Sequence, residues 1–373
     1  MKKLFFIAAI AGAALVSCTK NELAPSAAEQ EEITFANPIM SPSTKVAEVA
    51  NNYSTDLHFG VWAHYYDESV DNSIYTTFAN GEVYMNNVEV QYTDAVKGWK
   101  NATTPYFWPK NGSLTFIAYS PYGATGAGVD ANGIKFTDYV VGEPANQNDL
   151  LFSERAYNKE SVDQATADAD PYAGVQINFK HALASIMFKV KAAAAYAGTT
   201  LKVTKVEILN AYSKGSFSQG LTDANSVVTA DANTVPGWTN QDVETTYVAY
   251  NNATGIELHA TDVKYLHSGT TTPTANTTDL ILLPQALNHT STLKEVTVRV
   301  TYTLKNADMA APITQVGEVK LATGNAGGYF GGIESWQRGK RYIYTISVGL
   351  EEIYFDPQVT DWDEVSITPE LSI

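Results

Sequence analysis

Residues 296–304 read Val-Thr-Val-Arg-Val-Thr-Tyr-Thr-Leu, and apolar side chains alternate with polar ones along the whole stretch. Because successive side chains of a β-strand point to opposite faces, this pattern predicts a strand. Strand-like runs separated by turn residues recur along the chain. They lie at 57–66, 83–92, 114–119, 134–141, 175–179, 186–190, 201–209, 246–250, 280–283, 296–304, 316–321 and 342–348. Many short strands without long helical periods predict an all-β fold of the sandwich class.

The composition supports strands and a large core. Hydrophobic residues make up 45% of the chain and charged residues 17%, which excludes a disordered or coiled-coil protein. The length of 373 residues favours two domains. Residues 158–174, with the turn Asp168-Ala169-Asp170-Pro171, form the most linker-like interior stretch. We therefore predict domains at 46–172 and 173–373, with a boundary that could lie anywhere from residue 155 to residue 200.

The net charge is −16, and removal of Lys2 and Lys3 with a signal peptide would make it −18. A surface of this sign repels nucleic acid and anionic lipid headgroups. We therefore expect no nucleic-acid partner.

The stretch Leu15-Val16-Ser17-Cys18 contains the only cysteine of the chain. Two lysines precede an apolar segment, 4–15, that is too short to span a bilayer, which predicts a signal peptide at residues 1–17. The stretch resembles a bacterial lipobox, in which the cysteine thiol receives diacylglycerol and becomes the new N-terminus. Several acyl chains, at about 0.8 kcal/mol per buried methylene, would hold the protein on a membrane. The alternative is a chance cysteine in an ordinary signal peptide.

The segment after Cys18 predicts a leader. Residues 19–32 are polar and acidic, which is typical of a tether, and Ile33 and Phe35 alternate with Thr34 as in a short strand. Lys45 is the sole basic residue between Lys20 and Lys97 and lies in a stretch rich in Pro and Ser. The bond between Lys45 and Val46 is therefore a candidate site for a trypsin-like protease. The alternative is an ordinary solvated surface lysine.

The sequence contains no catalytic or metal-binding motif with the required residue spacing. The sequence contains neither a G-x-S-x-G elbow nor a phosphate-binding loop, and its six histidines never form an H-E-x-x-H pair. We therefore expect no enzymatic activity, no metal and no cofactor. A sugar-binding aromatic platform could be built from tryptophans, yet Trp in a sandwich is usually core. The candidates are Trp62, Trp99, Trp108 and Trp336.

The last ten residues, 364–373, alternate strictly between polar and apolar. Pro369 lacks an N–H donor, which favours an edge position or pairing on one side. The segment is either the last strand of its own domain or a donor strand that pairs with an open sheet edge of another subunit. The side chains that would enter such a groove are Val365, Ile367, Leu371 and Ile373.

Several short motifs, taken in their order, resemble the fimbrillin family, the lipoprotein precursors of type V pili in anaerobic Gram-negative bacteria. They are the lipobox at Cys18, Ile33-Thr34-Phe35, Thr44-Lys45-Val46-Ala47, Tyr106-Phe107-Trp108-Pro109, residues 114–121, Asp149-Leu150-Leu151, residues 179–183, Leu283-Pro284-Gln285, Trp336, Gly339-Lys340-Arg341-Tyr342 and residues 353–362.

The resemblance implies two tandem transthyretin-like β-sandwich domains and a precursor anchored by lipid to the outer membrane and exposed on the surface. It implies that a trypsin-like protease removes the leader, residues 18–45, with its strand around Ile33 and Phe35. Stalk members are cut after a Thr-Arg pair, whereas this chain has Lys45. The C-terminal strand of the next pilin subunit then fills the vacated groove, and the mature protein lies in the extracellular fimbrium with an adhesion role.

Two other functions stay open. A non-polymerising surface lipoprotein or a tip adhesin would bind a host glycan or protein, and would need an exposed aromatic cluster and no free donor strand. An enzyme on a sandwich scaffold would need carboxylates or histidines converging in a cleft.

Overall fold

The computed structural model describes the central part of the chain in several segments. These are residues 31–40, 53–67, 81–94, 98–130, 133–159, 174–219, 237–266, 279–288, 295–322, 333–350 and 353–362. Within them the regular structure consists almost entirely of β-strands, with a short 3-10 helix at Pro144–Asn146. No helix in these segments is long and apolar enough to cross a membrane. The prediction of an all-β fold is confirmed.

The described strands are numbered in chain order. They are β1 (Ile39–Met40), β2 (Phe59–Tyr66), β3 (Glu82–Asp94), β4 (Gly98–Asn101), β5 (Ser113–Ser120), β6 (Ala127–Asp130), β7 (Gly133–Val140), β8 (Leu151–Ser153), β9 (Ala156–Lys159), β10 (Asn178–His181), β11 (Ala184–Ala192), β12 (Thr199–Ser218), β13 (Trp238–Glu257), β14 (Lys264–Tyr265), β15 (Leu280–Leu282), β16 (Thr297–Asn306), β17 (Ile313–Lys320), β18 (Lys340–Val348) and β19 (Ile353–Asp361).

These strands form three sheets. The first has the order β1-β10-β8-β5-β2-β3-β4, with β9 beside β5. The second has the order β14-β11-β18-β19, with β15 also pairing β11. The third has the order β17-β16-β12-β7-β6, with β13 beside β12.

The first sheet separates two hydrophobic cores. Along β2, Phe59 and Val61 face one core, which also contains Phe116 of β5. Trp62 of β2 and Ile117 of β5 face the other core, together with side chains of the second and third sheets. Every residue of β5 is buried, as expected of a central strand with both faces covered.

Strands from both sides of the predicted domain boundary share sheets. β7 pairs with β12 in the third sheet, with Phe136 opposite Phe217. In the other direction, β10 pairs with β8 in the first sheet, with His181 opposite Leu151. The transthyretin-like type and the division into 46–172 and 173–373 stay predictions.

Residues 296–304 form most of β16 and the residue before it. Val298, Val300 and Tyr302 are buried, while Arg299 and Thr301 between them are more exposed. The alternation in the sequence therefore corresponds to alternation between core and solvent.

Two strands are much longer than their sequence patterns predict. β12 and β13 each span twenty residues, whereas the patterns predict strands at 201–209 and 246–250. Their pairing shifts register between Ile208 and Ala211, where Asn210 has φ of 61°. A bulge moves later side chains to the other face and so interrupts the alternation of apolar and polar residues. The sequence pattern therefore does not predict the parts of β12 and β13 that lie beyond the bulge.

Candidate functional site

The predicted leader strand lies inside the first core. Ile33 is 2% exposed and Phe35 is 1% exposed. The ring of Phe35 packs edge to face against Phe59 and Phe116, with centroids 5.7 Å away in both pairs. Burying an aliphatic or aromatic side chain of this size contributes about 1.5–3 kcal/mol, so the two residues contribute substantially to the precursor's stability.

Residues 31–40, called the leader segment below, pair on one side with residues near β4. The backbone N–H of Ile33 donates to the carbonyl of Tyr106, and that of Phe35 donates to the carbonyl of Trp99, both at 2.8 Å. The N–H of Trp108 donates to the carbonyl of Glu31 at 3.0 Å. The pairing of Phe35 with Trp99 is antiparallel.

The other side of the leader segment pairs with residues 175–179. The N–H of Ala36 donates to the carbonyl of Val175 at 3.1 Å, and the N–H of Val175 donates to the carbonyl of Thr34 at 2.9 Å. Ile39 donates to Ile177 at 3.0 Å, and β1 continues in parallel beside β10. The leader segment therefore lies between β4 and β10, which are the outer strands of the first sheet once β1 is set aside.

Polar side chains lie along the rim of the groove between β4 and β10 that contains the leader segment. The Nζ of Lys100, on β4, lies 3.3 Å from Oε1 of Glu32. The indole Nε1 of Trp99 donates to Oδ1 of Asn37 at 3.3 Å. The amide of Gln176 donates to the carbonyl of Asn37 at 3.4 Å. Lys100 thus provides a cation for an acidic residue at the start of the inserted strand.

Gly174 forms the tightest part of the groove wall. A Cβ atom at this position would lie 2.6 Å from the carbonyl carbon of Phe35 and 2.7 Å from the nitrogen of Ala36. Only glycine allows the two backbones to approach this closely. The pattern around residue 174 indicates a linker, so the sequence carried no signal for this role.

Tyr53 closes the floor of the groove and follows the predicted cleavage site. Its ring stacks on Phe179, with centroids 5.4 Å apart, and its hydroxyl lies 2.6 Å from Oγ of Ser120. Burial raises the pKa of the Tyr53 phenol, so the hydroxyl stays protonated. Cleavage after Lys45 would leave Tyr53 in the mature chain.

The lipidation, cleavage and tail residues lie outside the described residues. These are Cys18, Lys45, Val46, Val365, Ile367, Leu371 and Ile373.

The last described residue before the tail is Trp362. Its ring stacks on His181 with centroids 3.9 Å apart and planes inclined by 8°. His181 Nδ1 lies 2.6 Å from Oδ2 of Asp149, and the N–H of Trp362 donates to the carbonyl of Gly339 at 3.2 Å. Since His181 ends β10, the tail begins beside the strand that lines the groove.

The four tryptophans considered for a sugar platform are core residues. Trp99 and Trp336 are fully buried, and Trp62 and Trp108 are at most 5% exposed. None of these four therefore offers an open aromatic face. Among the residues that the structure describes, no group of three His, Cys, Asp or Glu could hold a metal ion.

Solved structures of fimbrial proteins are among those similar to this chain. A fimbrial protein from Bacteroides vulgatus has a solved structure with TM-score 0.59 and 16% identity, covering 89% of this chain and 99% of its own. The tip fimbrial protein Mfa3 from Porphyromonas gingivalis, solved with a C-terminal truncation, has TM-score 0.36 and 10% identity, covering 82% of this chain and 94% of its own.

No curated protein matches the chain in sequence. The fimbrillin-like family model, by contrast, matches residues 44–362, which is most of the chain. This match supports a fimbrial subunit or adhesin at the cell surface. The chain belongs to the fimbrillin-like family.

Proposed function

We propose that this protein is a structural subunit of a cell-surface fimbria with a role in adhesion, assembled by donor-strand exchange after proteolysis. The observation that carries the proposal is the position of the leader segment, whose backbone is hydrogen-bonded to residues on both sides of one groove. Removing it would leave the backbone carbonyls of Trp99, Tyr106 and Ile177 and both backbone groups of Val175 without these partners, and would expose the core around Phe59. A sheet edge in this state is a template for a strand from another chain.

The precursor travels to the outer membrane as a lipoprotein anchored through Cys18. A trypsin-like protease then cuts between Lys45 and Val46 and releases the leader together with the lipid. The mature chain keeps Tyr53 as part of the groove floor. Lipidation thus holds the subunit at the surface until cleavage makes it competent for assembly.

The tail of the next subunit replaces the leader strand. The leader segment buries Ile33, Phe35 and Pro38 and packs Met40 against the same core. The tail offers four apolar side chains in their place, Val365, Ile367, Leu371 and Ile373, at about 1.5–3 kcal/mol for each that becomes fully buried. The other partners are the protease and a host surface ligand.

The test is limited trypsin treatment of purified precursor, followed by SDS gel electrophoresis without boiling. We expect a ladder of SDS-resistant multimers that grows as cleavage proceeds. A Lys45→Gln precursor is the matched control and should stay monomeric under the same treatment. Complete cleavage with monomers only would contradict the proposal and favour a tip adhesin or a non-polymerising surface lipoprotein.

A further inference from the structure

The tail repeats the leader strand in sequence. Residues 32–36 read Glu-Ile-Thr-Phe-Ala, and residues 364–368 read Glu-Val-Ser-Ile-Thr. In the first four positions an acid matches an acid, an aliphatic an aliphatic, a hydroxyl a hydroxyl, and a large apolar side chain another; the fifth pairs Ala36 with Thr368. The likeness suggests one particular alignment of the tail in the groove.

The contacts of the leader segment show what each aligned tail residue would meet. Glu32 lies 3.3 Å from Lys100, so Glu364 would take over that ion pair. Ile33 and Phe35 are almost fully buried, so Val365 and Ile367 would enter the same two places.

Shifting the tail by two residues in either direction keeps the same side chains facing the core, but both shifted alignments are less favourable. One slip places Ser366 at the position of Glu32, so Lys100 would lose its acidic partner. The opposite slip places Asp363 in the buried site of Ile33, where a charge would lack a partner. The alternation and the groove together select a single alignment.

The alignment extends only as far as Asn37. Beyond it the leader bulges, because Ala36 and Ile39 are three residues apart whereas their acceptors, Val175 and Ile177, are two apart. The tail alternates strictly in sequence, without the extra residue of a bulge, so the alignment applies to residues 364–369.

Geometry excludes the chain's own tail from this alignment. The leader segment runs parallel to β10 and ends with Met40 opposite Phe179, two residues before His181. The place of Glu32 is therefore eight residues back, roughly 26 Å at 3.3 Å per residue. Glu364 is only two residues from Trp362, a reach of about 7 Å. While Trp362 stacks on His181, Glu364 cannot reach Lys100 of the same molecule.

We propose that residues 364–369 of a second copy of this chain occupy the groove in the alignment of residues 32–37, with Glu364 paired to Lys100. The inference rests on the proposed exchange of the leader for a tail. Because groove and tail are different surfaces of one molecule, each added copy leaves a new groove or tail open, and the contact builds a filament rather than a closed pair.

Disulfide mapping tests the alignment. Since Phe35 lies antiparallel to Trp99, Thr34 lies opposite Lys100, and Ser366 would take its place. In a Cys18→Ser background, a Lys100→Cys acceptor is mixed with a donor that carries Ser366→Cys, cleaved with trypsin and oxidised. Directly opposite residues suit a disulfide, whereas a shift of two residues does not. We expect a cross-linked dimer at several times the yield given by matched Glu364→Cys or Thr368→Cys donors.

The possible outcomes distinguish two hypotheses: the register of the tail in the groove, and the replacement of the leader by a tail. A stronger cross-link from the Glu364→Cys or Thr368→Cys donor would overturn the alignment and leave the exchange intact. No cross-link from any donor, together with no SDS-resistant ladder, would overturn the proposed function as well. In a Lys100→Cys/Ser366→Cys double variant, an internal cross-link that runs as a monomer would overturn the assignment to a second copy.

A charge reversal tests the ion pair without relying on a cysteine at Lys100. Lys100→Glu and Glu364→Lys should each slow growth of the ladder about two- to five-fold, the size expected for a partly exposed ion pair. Combining both changes in one chain should restore the rate. Absence of restoration, with both single variants folded, would overturn the pairing of Glu364 with Lys100.

Discussion

A Cβ atom on Gly174 would lie 2.6 Å from the carbonyl carbon of Phe35, so the groove wall touches the backbone of the leader strand rather than its side chain. Contact with backbone discriminates little between side chains. A strand of different sequence can therefore replace the leader, provided that its backbone follows the same path.

Gly174→Ala should destabilise the precursor by about 1–3 kcal/mol, because the new methyl group overpacks against backbone that cannot rotate away. Urea unfolding of the purified precursor measures the change. Gly128→Ala is the matched control, since its Cβ would meet only the flexible side chain of Lys135 at 3.4 Å. Equal free energies of unfolding for the two variants would show that the backbone at residue 174 moves to accommodate a methyl group at no cost.

Phe35→Ala should lower the free energy of unfolding of the precursor by about 3–5 kcal/mol, as for other buried phenylalanines. Ile39→Ala in the same segment is the control and should change it little, because Ile39 is 40% exposed. The proposed cleavage removes both residues, so polymers grown from the two cleaved variants should be indistinguishable. A persistent difference between those polymers would mean that the leader stays bound after cleavage.

The sequence predicts the strands and the inward side chains of the leader, because both depend on alternation along a few neighbouring residues. Ile33 and Phe35 were identified from this local pattern, and both are buried. The groove itself could not be predicted. Its walls, Trp99 and Val175, are far from Phe35 in sequence, and they meet only when the first sheet folds around its core.

The contacts of Gly174 and Trp362 also escape sequence reasoning. A glycine in a linker-like stretch has the same local signature whether it turns freely or touches another backbone. Likewise, the stack of Trp362 on His181 depends on β19 and β10 lying near each other, although they belong to different sheets. Signals of this kind arise from tertiary packing, which leaves no period in the sequence.

Cys18→Ser should abolish acylation and retention in the membrane, because the chain has no other thiol to accept the lipid. Labelling cells with a clickable palmitate analogue and separating membrane from soluble protein measures both effects. Ser17→Ala, which keeps a small residue before the cysteine, is the control and should remain labelled. Persistent label on the Cys18→Ser protein would contradict the lipoprotein assignment.

Limited trypsin should cut the folded precursor first after Lys45, so that N-terminal sequencing of the large fragment begins at Val46. The reason is that Lys45 lies in a stretch rich in Pro and Ser, whereas many later basic residues belong to paired strands, such as Lys100 in β4. A first cut at Lys159 would instead mean that the leader is protected, and the proposed assembly would lose its trigger.

Ile367→Asp should abolish polymerisation of the cleaved protein while leaving its thermal unfolding nearly unchanged. In the groove the new carboxylate would take the almost fully buried place of Phe35 and would lie unpaired, at a cost of several kcal/mol. Ser366→Asp is the matched control, because its side chain would replace Thr34 on the rim opposite Lys100 and would be tolerated.

Deletion of residues 364–373 should act like Ile367→Asp, since β19 still pairs with β18 along Ile353–Asp361 and Trp362 keeps its stack on His181. The truncated protein should accept a tail from the wild-type chain yet donate none, so that adding it to growing wild-type polymers shortens them. Gel ladders and thermal unfolding measured on the same samples distinguish a donor tail from a strand that its own domain needs for stability. If the truncated chain or the Ile367→Asp variant unfolds outright, the tail is a structural strand of its own domain, and a tip, anchor or monomeric surface role replaces that of a polymerising subunit.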